Sequence, residues 1–406
     1  MDAGKCHRSM YVSKEDEEPS RARAGVFLGI LRGEKRNGTK RGDKKKNTAT
    51  ECQREPKREK TVVEKAAEKA PEKNFEKTVK MNQTTTMAAP AGHPVVEVWV
   101  QRALDTGVEN LRDEFRQLAK YTSPTMTTEA FTKNIAPGVN MASRNRYQDV
   151  PCQDYNIVKL KPPSSQDYIH ANFVSTSVSL TRFICTQGPL DTTIEDFWHM
   201  IVQQAVEQIV MLCKTIEMGK HKCAQYWPLN AGEVKECGKI KVENLSGAKP
   251  LERDGEIQTT MLAVTLEGKT IQVRHLQWMD WPDRGVPPCK LTSLELLSAI
   301  RGSKVPIVVH CSAGIGRTGT IVAIEYILEK ISANEEVPIM PNLVKAIRDQ
   351  RAFSIQNDLQ YLYIHRVMLN YFLEKYKVKY SNILTPENTA KYEKFIANYN
   401  VAVGQT

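Results

Sequence analysis

The chain has 406 residues, 41% of them hydrophobic, which is enough for a sizeable core, and a formal net charge of +10. That charge is uneven: residues 1–80 hold 22 Lys and Arg against 14 Asp and Glu, so the remainder is close to neutral and charge gives no case for nucleic-acid binding by the body. The nine cysteines are scattered and none forms a CxxC pair, so neither a zinc site nor a disulfide framework is expected.

In chain order, residues 1–90 read as a disordered basic arm and charged linker. The N-terminus is polar, Asp2 follows Met1, and the apolar run Gly25–Leu31 is far too short for a membrane span. Neither a secretory leader nor a myristoylation site is therefore expected, and the chain reads as cytoplasmic with its cysteines as thiols. The run Leu31–Lys46 carries eight basic and two acidic residues. It could contact acidic partners or an anionic membrane surface, or direct the chain to the nucleus. Glu-Lys pairs then recur at 64, 68, 72 and 76, with Pro71 interrupting any helix.

Residues 91–376 carry the folded pattern. Val108, Leu111, Phe115, Leu118 and Ala119 have helical spacing. Arg182–Gln187 and Gln208–Cys213 read as strands, and Met261–Trp278 as two β runs joined at Glu267-Gly268. Pro306–His310 fits a buried strand, and helical patterns follow over Gly319–Ile331 and from Leu359 to about Tyr376. Residues 377–406 read as a C-terminal tail, with a short helix in Glu387–Tyr399. Helices and strands mix without regular alternation, which predicts an α+β domain on a highly twisted mixed β-sheet flanked by helices.

The chemistry concentrates in "VVHCSAGIGRTGT" (Val308–Thr320), a strand, a small-residue loop and a helix. A helix beginning near Arg317 turns its free N–H groups and positive dipole end toward the loop. Ala313, Gly314 and Gly316 let the backbone curl so that its amides, those of Ser312 and Ile315 included, converge on an anion. Such surroundings favour the thiolate of Cys311, the form that attacks. Arg317 offers a planar fork that matches two phosphate oxygens. Thr318 is placed to hydrogen-bond the sulfur. The arrangement predicts a phosphate cradle with a nucleophile at its floor.

This loop closely resembles the signature of the protein tyrosine phosphatase family, in its phosphotyrosine-specific, non-receptor class. The resemblance runs from about Val98 to Tyr376 and includes several further segments in the family's order. "WMDWPDRGVPP" (Trp278–Pro288) is similar to the family's mobile acid loop, which makes Asp283 the general acid, with Trp281 and Pro282 as hinge and packing elements. "SIQNDLQYLYIH" (Ser354–His365) is similar to the glutamine loop, with Gln356 and Gln360 positioning water; Ser354 and Asn357 depart from the usual Met and Thr. "ASRNRYQDVPC" (142–152) resembles the phosphotyrosine-recognition loop. There Tyr147 walls the pocket, Asp149 holds peptide N–H groups and Asn145 braces the loop. A pocket of that depth suits phosphotyrosine and leaves phosphoserine short. "DYIHANFV" (Asp167–Val174) matches except for His170 in place of Asn. In "EMGKHKCAQYWP" (Glu217–Pro228), the resemblance pairs Glu217 with Arg317 and Lys222 with Asp283, and His310 supports the loop from its strand. Phe353 falls at the gateway beside the cleft.

The resemblance therefore implies hydrolysis of phosphotyrosine in proteins through a cysteinyl-phosphate intermediate. No metal or cofactor is expected, because Arg317 and the amides supply the positive field. A silent phosphotyrosine-binding relative would usually have lost the cysteine, the arginine or the acid, and all three are present. A dual-specificity or lipid phosphatase would generally lack the Tyr147 and Gln356 segments.

Overall fold

A computed structural model describes residues 94–135 and 143–405. The expectations for the basic arm and charged linker lie outside these residues.

The first helix, α1 (Pro94–Leu118), is two helical segments that meet at Gly107, where φ is 69° and ψ 168°. Its apolar residues recur at helical spacing, and Val100, Leu104, Val108, Leu111, Phe115 and Leu118 are buried. A short helix, α2 (Glu129–Lys133), leads toward the sheet. Strands β1 (Ile157–Lys159), β2 (Tyr168–Val174) and β3 (Phe183–Thr186) follow, then α3 (Ile194–Gln203) and β4 (Gln208–Met211). A two-stranded ribbon, β5 (Ile216–Glu217) with β6 (Lys220–His221), stands apart from the main sheet. Next come β7 (Val234–Cys237), β8 (Ile240–Asn244), β9 (Lys249–Leu251), β10 (Asp254–Leu266) and β11 (Lys269–Trp278). Glu267 and Gly268 join the last two, both at positive φ, the backbone that a two-residue hairpin turn requires.

The chain ends with α4 (Thr292–Ile300), β12 (Ile307–His310), α5 (Gly316–Ser332), α6 (Met340–Arg348), α7 (Asp358–Asn370) and α8 (Pro386–Val403). The main sheet runs β1-β2-β3-β12-β4-β11-β10-β8-β7, with β9 paired to β10. Strand β12 is parallel to both neighbours, β3 and β4, and β11 is parallel to β4; the other pairs are antiparallel. The result is a mixed sheet in an α+β fold. All four residues of β12 are buried, as a parallel strand covered on both faces demands.

Helix α5 is buried on almost every side, including two carboxylates. Arg301 pairs with Glu325, and Arg182 Nε donates to Glu329 at 2.8 Å, so neither charge is left alone in the interior. Helix α7 begins one residue earlier than the spacing suggests and widens into a π-type turn at Tyr371–Lys375.

The sequence-based boundary at residue 376 is corrected by the packing. Helix α8 puts Tyr392, Phe395 and Tyr399 into the same core as the sheet and packs on α1 and α7. Its start carries Thr385 as cap, accepting from Asn388 N at 3.2 Å, with Pro386 in the first turn and Gly404 at φ 70° beyond its end. The segment looks like a tail in sequence because its charges outnumber its three widely spaced aromatics.

Candidate active site

Strand β12 delivers His310 and Cys311 to the C-terminal edge of the sheet, the edge at which ligands gather in sheets with parallel strands. From Cys311 to Ile315 each carbonyl is engaged on the outside of the loop. Cys311 O faces His310 Nδ1 at 3.2 Å, and Ser312 O accepts from Gly188 N at 2.9 Å. Arg351 donates to Gly314 O and Ala313 O at 3.1 and 3.2 Å. Ile315 O accepts from Gly319 N and Ile355 N at 2.9 and 3.1 Å. Peptide planes are rigid, so carbonyls held outward turn the following N–H groups inward. Gly314 N donates to Cys311 Sγ at 3.3 Å.

Space dictates the glycine at 314, and the glycine at 316 leaves room for two side chains. Gly314 has φ 69°, and a Cβ there would lie 2.0 Å from Thr186 O. At Gly316 a Cβ would lie 2.9 Å from Gln360 Nε2 and 3.1 Å from Gln356 Oε1, so both glutamine amides rest against the loop. Gln356 N donates to Gln360 Oε1 at 2.8 Å, which ties the pair together.

Arg317, in the first turn of α5, is buried. Its fork meets both oxygens of Glu217 at 2.6 Å, and it also donates to Leu212 O at 2.7 Å and Asp283 Oδ1 at 3.1 Å. Burial works against its charge, but the Glu217 carboxylate and the neighbouring Cys311 hold its pKa above the ordinary value. The β5–β6 ribbon thus has a clear task, since it presents Glu217 to the arginine.

Asp283 sits on the loop after β11. Pro282 O accepts from Gly285 N at 3.2 Å, and Trp281, buried against Trp278 and Tyr363, donates to Gly285 O at 3.1 Å. Lys222 Nζ lies 2.6 Å from Asp283 Oδ2. Burial pushes the Asp283 carboxyl up, yet Lys222 and Arg317 outweigh it and hold it below the usual carboxylate range. For Lys222, the Asp283 contact more than offsets the lowering by burial.

Tyr147 OH lies 2.8 Å from Ser312 Oγ, which bonds Lys222 O at 3.0 Å. Asn145 is buried, donating to Phe131 O at 3.0 Å and accepting from Tyr168 OH. Arg146, between them, clamps Gly188 O and Pro189 O at 2.9 and 2.6 Å. Asp149 is exposed and has no hydrogen bond among the described residues. Thr318 is placed differently from the sequence expectation: its buried Oγ1 has no hydrogen-bond partner, because the sulfur points to the Gly314 amide instead.

His310 and two groups that sequence reasoning missed form an ordered relay behind the loop. The Cys311 carbonyl can only accept, so His310 Nδ1 carries the proton and its Nε2 accepts from Tyr226 OH at 2.8 Å. Tyr226 oxygen then accepts from His275 Nε2 at 2.7 Å. Burial lowers the pKa of His310 to about 4 and that of His275 to about 3, so both rings are neutral near pH 7. Arg351, also missed, is fully buried and reaches Asn172 Oδ1 at 2.8 Å and His170 Nδ1 at 3.1 Å. The departure at His170 is thereby accommodated: the neutral ring accepts from Arg351 and donates to Val150 O at 2.9 Å. Nothing local in "RDQRAF" marks this arginine, since its partners lie up to 199 positions away.

Among the described residues no group of His, Cys, Asp and Glu is arranged to hold a metal ion, and no helix is long and apolar enough to cross a membrane.

A cysteine on a loop of inward amides, a bidentate arginine and an opposed carboxylate lie together here, and comparison with known proteins names the class. The protein-tyrosine phosphatase family model matches residues 141–370, more than half of the chain, and the chain belongs to that family. It is 37% identical over 267 residues to tyrosine-protein phosphatase non-receptor type 9 of Homo sapiens, covering 60% of this chain and 44% of that relative. The catalytic domain of human protein tyrosine phosphatase non-receptor type 18 superposes with a TM-score of 0.59 at 28% identity, covering 68% of this chain and 99% of that structure. A structure of PTPN18 in complex with HER2-pY1196 phosphor-peptides gives a TM-score of 0.61 at 28% identity, with the same coverage. The chain spans less than half the length of the type 9 relatives.

Proposed function

We propose that this chain hydrolyses phosphotyrosine in proteins through a cysteinyl-phosphate intermediate. The observation that carries the reading is the outward engagement of every carbonyl from Cys311 to Ile315, which leaves amides around the sulfur. Cys311 attacks as thiolate: the S–P bond forms while the P–O bond to tyrosine breaks. Arg317 and the loop amides of Ser312 to Gly316 hold the equatorial oxygens, and Asp283 gives its proton to the tyrosyl oxygen. Gln356 and Gln360 then place a water that attacks phosphorus, Asp283 takes its proton, and the S–P bond breaks to release phosphate.

Lys222 and Arg317 hold Asp283 as carboxylate. An incoming phosphate dianion takes over Arg317 and brings its own negative charge, and both changes raise the Asp283 pKa toward that of a working acid. Tyr147 stacks on the substrate ring, Asp149 at the exposed rim holds peptide N–H groups, and Asn145 keeps their loop in place. His310, Trp281, Pro282, Glu217 and Lys222 support these groups. Phosphotyrosine proteins are the substrates of this reading, which the PTPN18 complex with HER2-pY1196 phosphor-peptides supports. The seven described cysteines are all free thiols, in keeping with a cytoplasmic site of action. The charge of Leu31–Lys46 suits acidic partners, an anionic membrane surface or nuclear import.

The test is turnover of p-nitrophenyl phosphate and of phosphotyrosine and phosphothreonine peptides in EDTA. Activity on the first two is expected, lost in Cys311→Ser; activity surviving that substitution, or equal activity on phosphothreonine, refutes the reading.

A further inference from the structure

Asn357 departs from the residue usual at its position, and its side chain joins two parts of the site. Its Oδ1 caps α7, accepting from Gln360 N at 3.0 Å. The Nδ2 of the same amide donates to Arg284 O at 2.7 Å. Arg284 directly follows Asp283 and sits at φ 59°, a left-handed backbone that a residue with a side chain adopts only under constraint. Among the described residues this is the sole hydrogen bond between the acid loop (Trp278–Pro288) and the glutamine loop (Ser354–Gln360). Gln360, whose N–H is fixed by Asn357, in turn accepts from Gln356 N at 2.8 Å.

We propose that Asn357 is a positioning residue that latches the closed acid loop onto the glutamine loop, coupling delivery of the Asp283 proton to the placement of the water-holding glutamines. The chemistry of the amide explains why this residue suits the task. A cap needs an acceptor, and a backbone carbonyl across the cleft needs a donor; a planar amide carries both at a fixed separation. Serine supplies the cap but ends too soon to reach Arg284. Aspartate has the right shape but offers an oxygen where the N–H stood. When the acid loop opens, the Arg284 carbonyl leaves and Asn357 keeps only its capping bond. The latch therefore favours the closed state without contributing to the binding of phosphate itself. The proposal rests on the general-acid role given to Asp283.

The experiment compares Asn357→Ser, Asn357→Asp and Asp283→Ala with the parent, using p-nitrophenyl phosphate and phenyl phosphate. The first leaving group departs with little help and the second needs a proton. Both Asn357 variants keep a capping oxygen, so Tm should stay within about 2 °C of the parent. Loss of one latch hydrogen bond should lower kcat on phenyl phosphate about fivefold and on p-nitrophenyl phosphate less than about twofold. Inhibition by vanadate should be unchanged. A merely structural role would lower both substrates alike, and that result, or no loss on either, overturns the latch. If Asp283→Ala shows the leaving-group dependence and the Asn357 variants do not, the latch alone fails. If Asp283→Ala does not show it, the acid role and the latch fail together.

Discussion

Replacing Glu217 with alanine isolates the pair on which the arginine fork depends. The two side chains are 3% and 9% exposed, and both nitrogen–oxygen distances are 2.6 Å. Removing one partner of a buried ion pair typically costs about 3–5 kcal/mol, because the other charge is left without compensation. Arg317 keeps Leu212 O and Asp283, so the low end applies, about 3 kcal/mol. For a folded unit of this size that corresponds to a fall of about 5 °C in Tm. The catalytic effect should be larger than the stability effect suggests. Arg317 would then turn toward Asp283, so the fork would no longer face the loop and the acid would be held more tightly as carboxylate. A misplaced fork should lower kcat/KM for p-nitrophenyl phosphate by about 100-fold. Glu217→Gln preserves shape and one acceptor and should fall between parent and alanine on both scales. Differential scanning fluorimetry and steady-state kinetics on the three proteins decide the matter. If both variants stay within about 1 °C and within twofold in kcat/KM, the β5–β6 ribbon does not orient the arginine.

Gly314→Ala should nearly abolish turnover, since its Cβ would meet Thr186 O at 2.0 Å from a backbone at φ 69°. Wild-type kinetics for that variant would show that the loop does not need its present path. For Asp283 the folded-state pKa is depressed, so its contacts contribute stability that is present above the ordinary carboxylate pKa of about 3.9 and is lost as pH falls through the lower folded value. The difference in Tm between the parent and Asp283→Asn should accordingly be constant from about pH 5 to 7 and shrink below about pH 4. A difference that grows on acidification would reverse the assigned direction.

The parts legible in sequence are those whose residue types are demanded by chemistry within a short span. The Val308–Thr320 segment needs apolar residues for a strand buried on both faces, small residues for a tight curl, and an arginine one turn into a helix. Every one of those demands is local. The hairpin at Glu267-Gly268 was legible for the same reason, although β10 extends back to Asp254, because Glu256 and Gln258 place polar groups on the less buried face of the strand. The supports that act across the fold were not legible. Arg351 reads as a surface arginine until residues 170, 172, 313 and 314 are brought around it. Tyr226 gains its role only when β11 and β12 set a histidine on either side of its hydroxyl. Helix α8 hid its aromatics among lysines and glutamates, so its burial depended on surfaces of α1 and α7 that no local pattern reveals.

The candidate anion-binding floor of this site is written in backbone rather than in side chains. Swapping Ala313 or Ile315 for residues of similar bulk removes no donor, because each position contributes its peptide group whatever it carries beyond Cα. Evolution could therefore retune the walls of the pocket freely while the mould for a tetrahedral oxyanion stays intact. The changes able to erase that mould are those that block its path at Gly314 or loosen its outer braces at Gly188, Arg351 and Ile355.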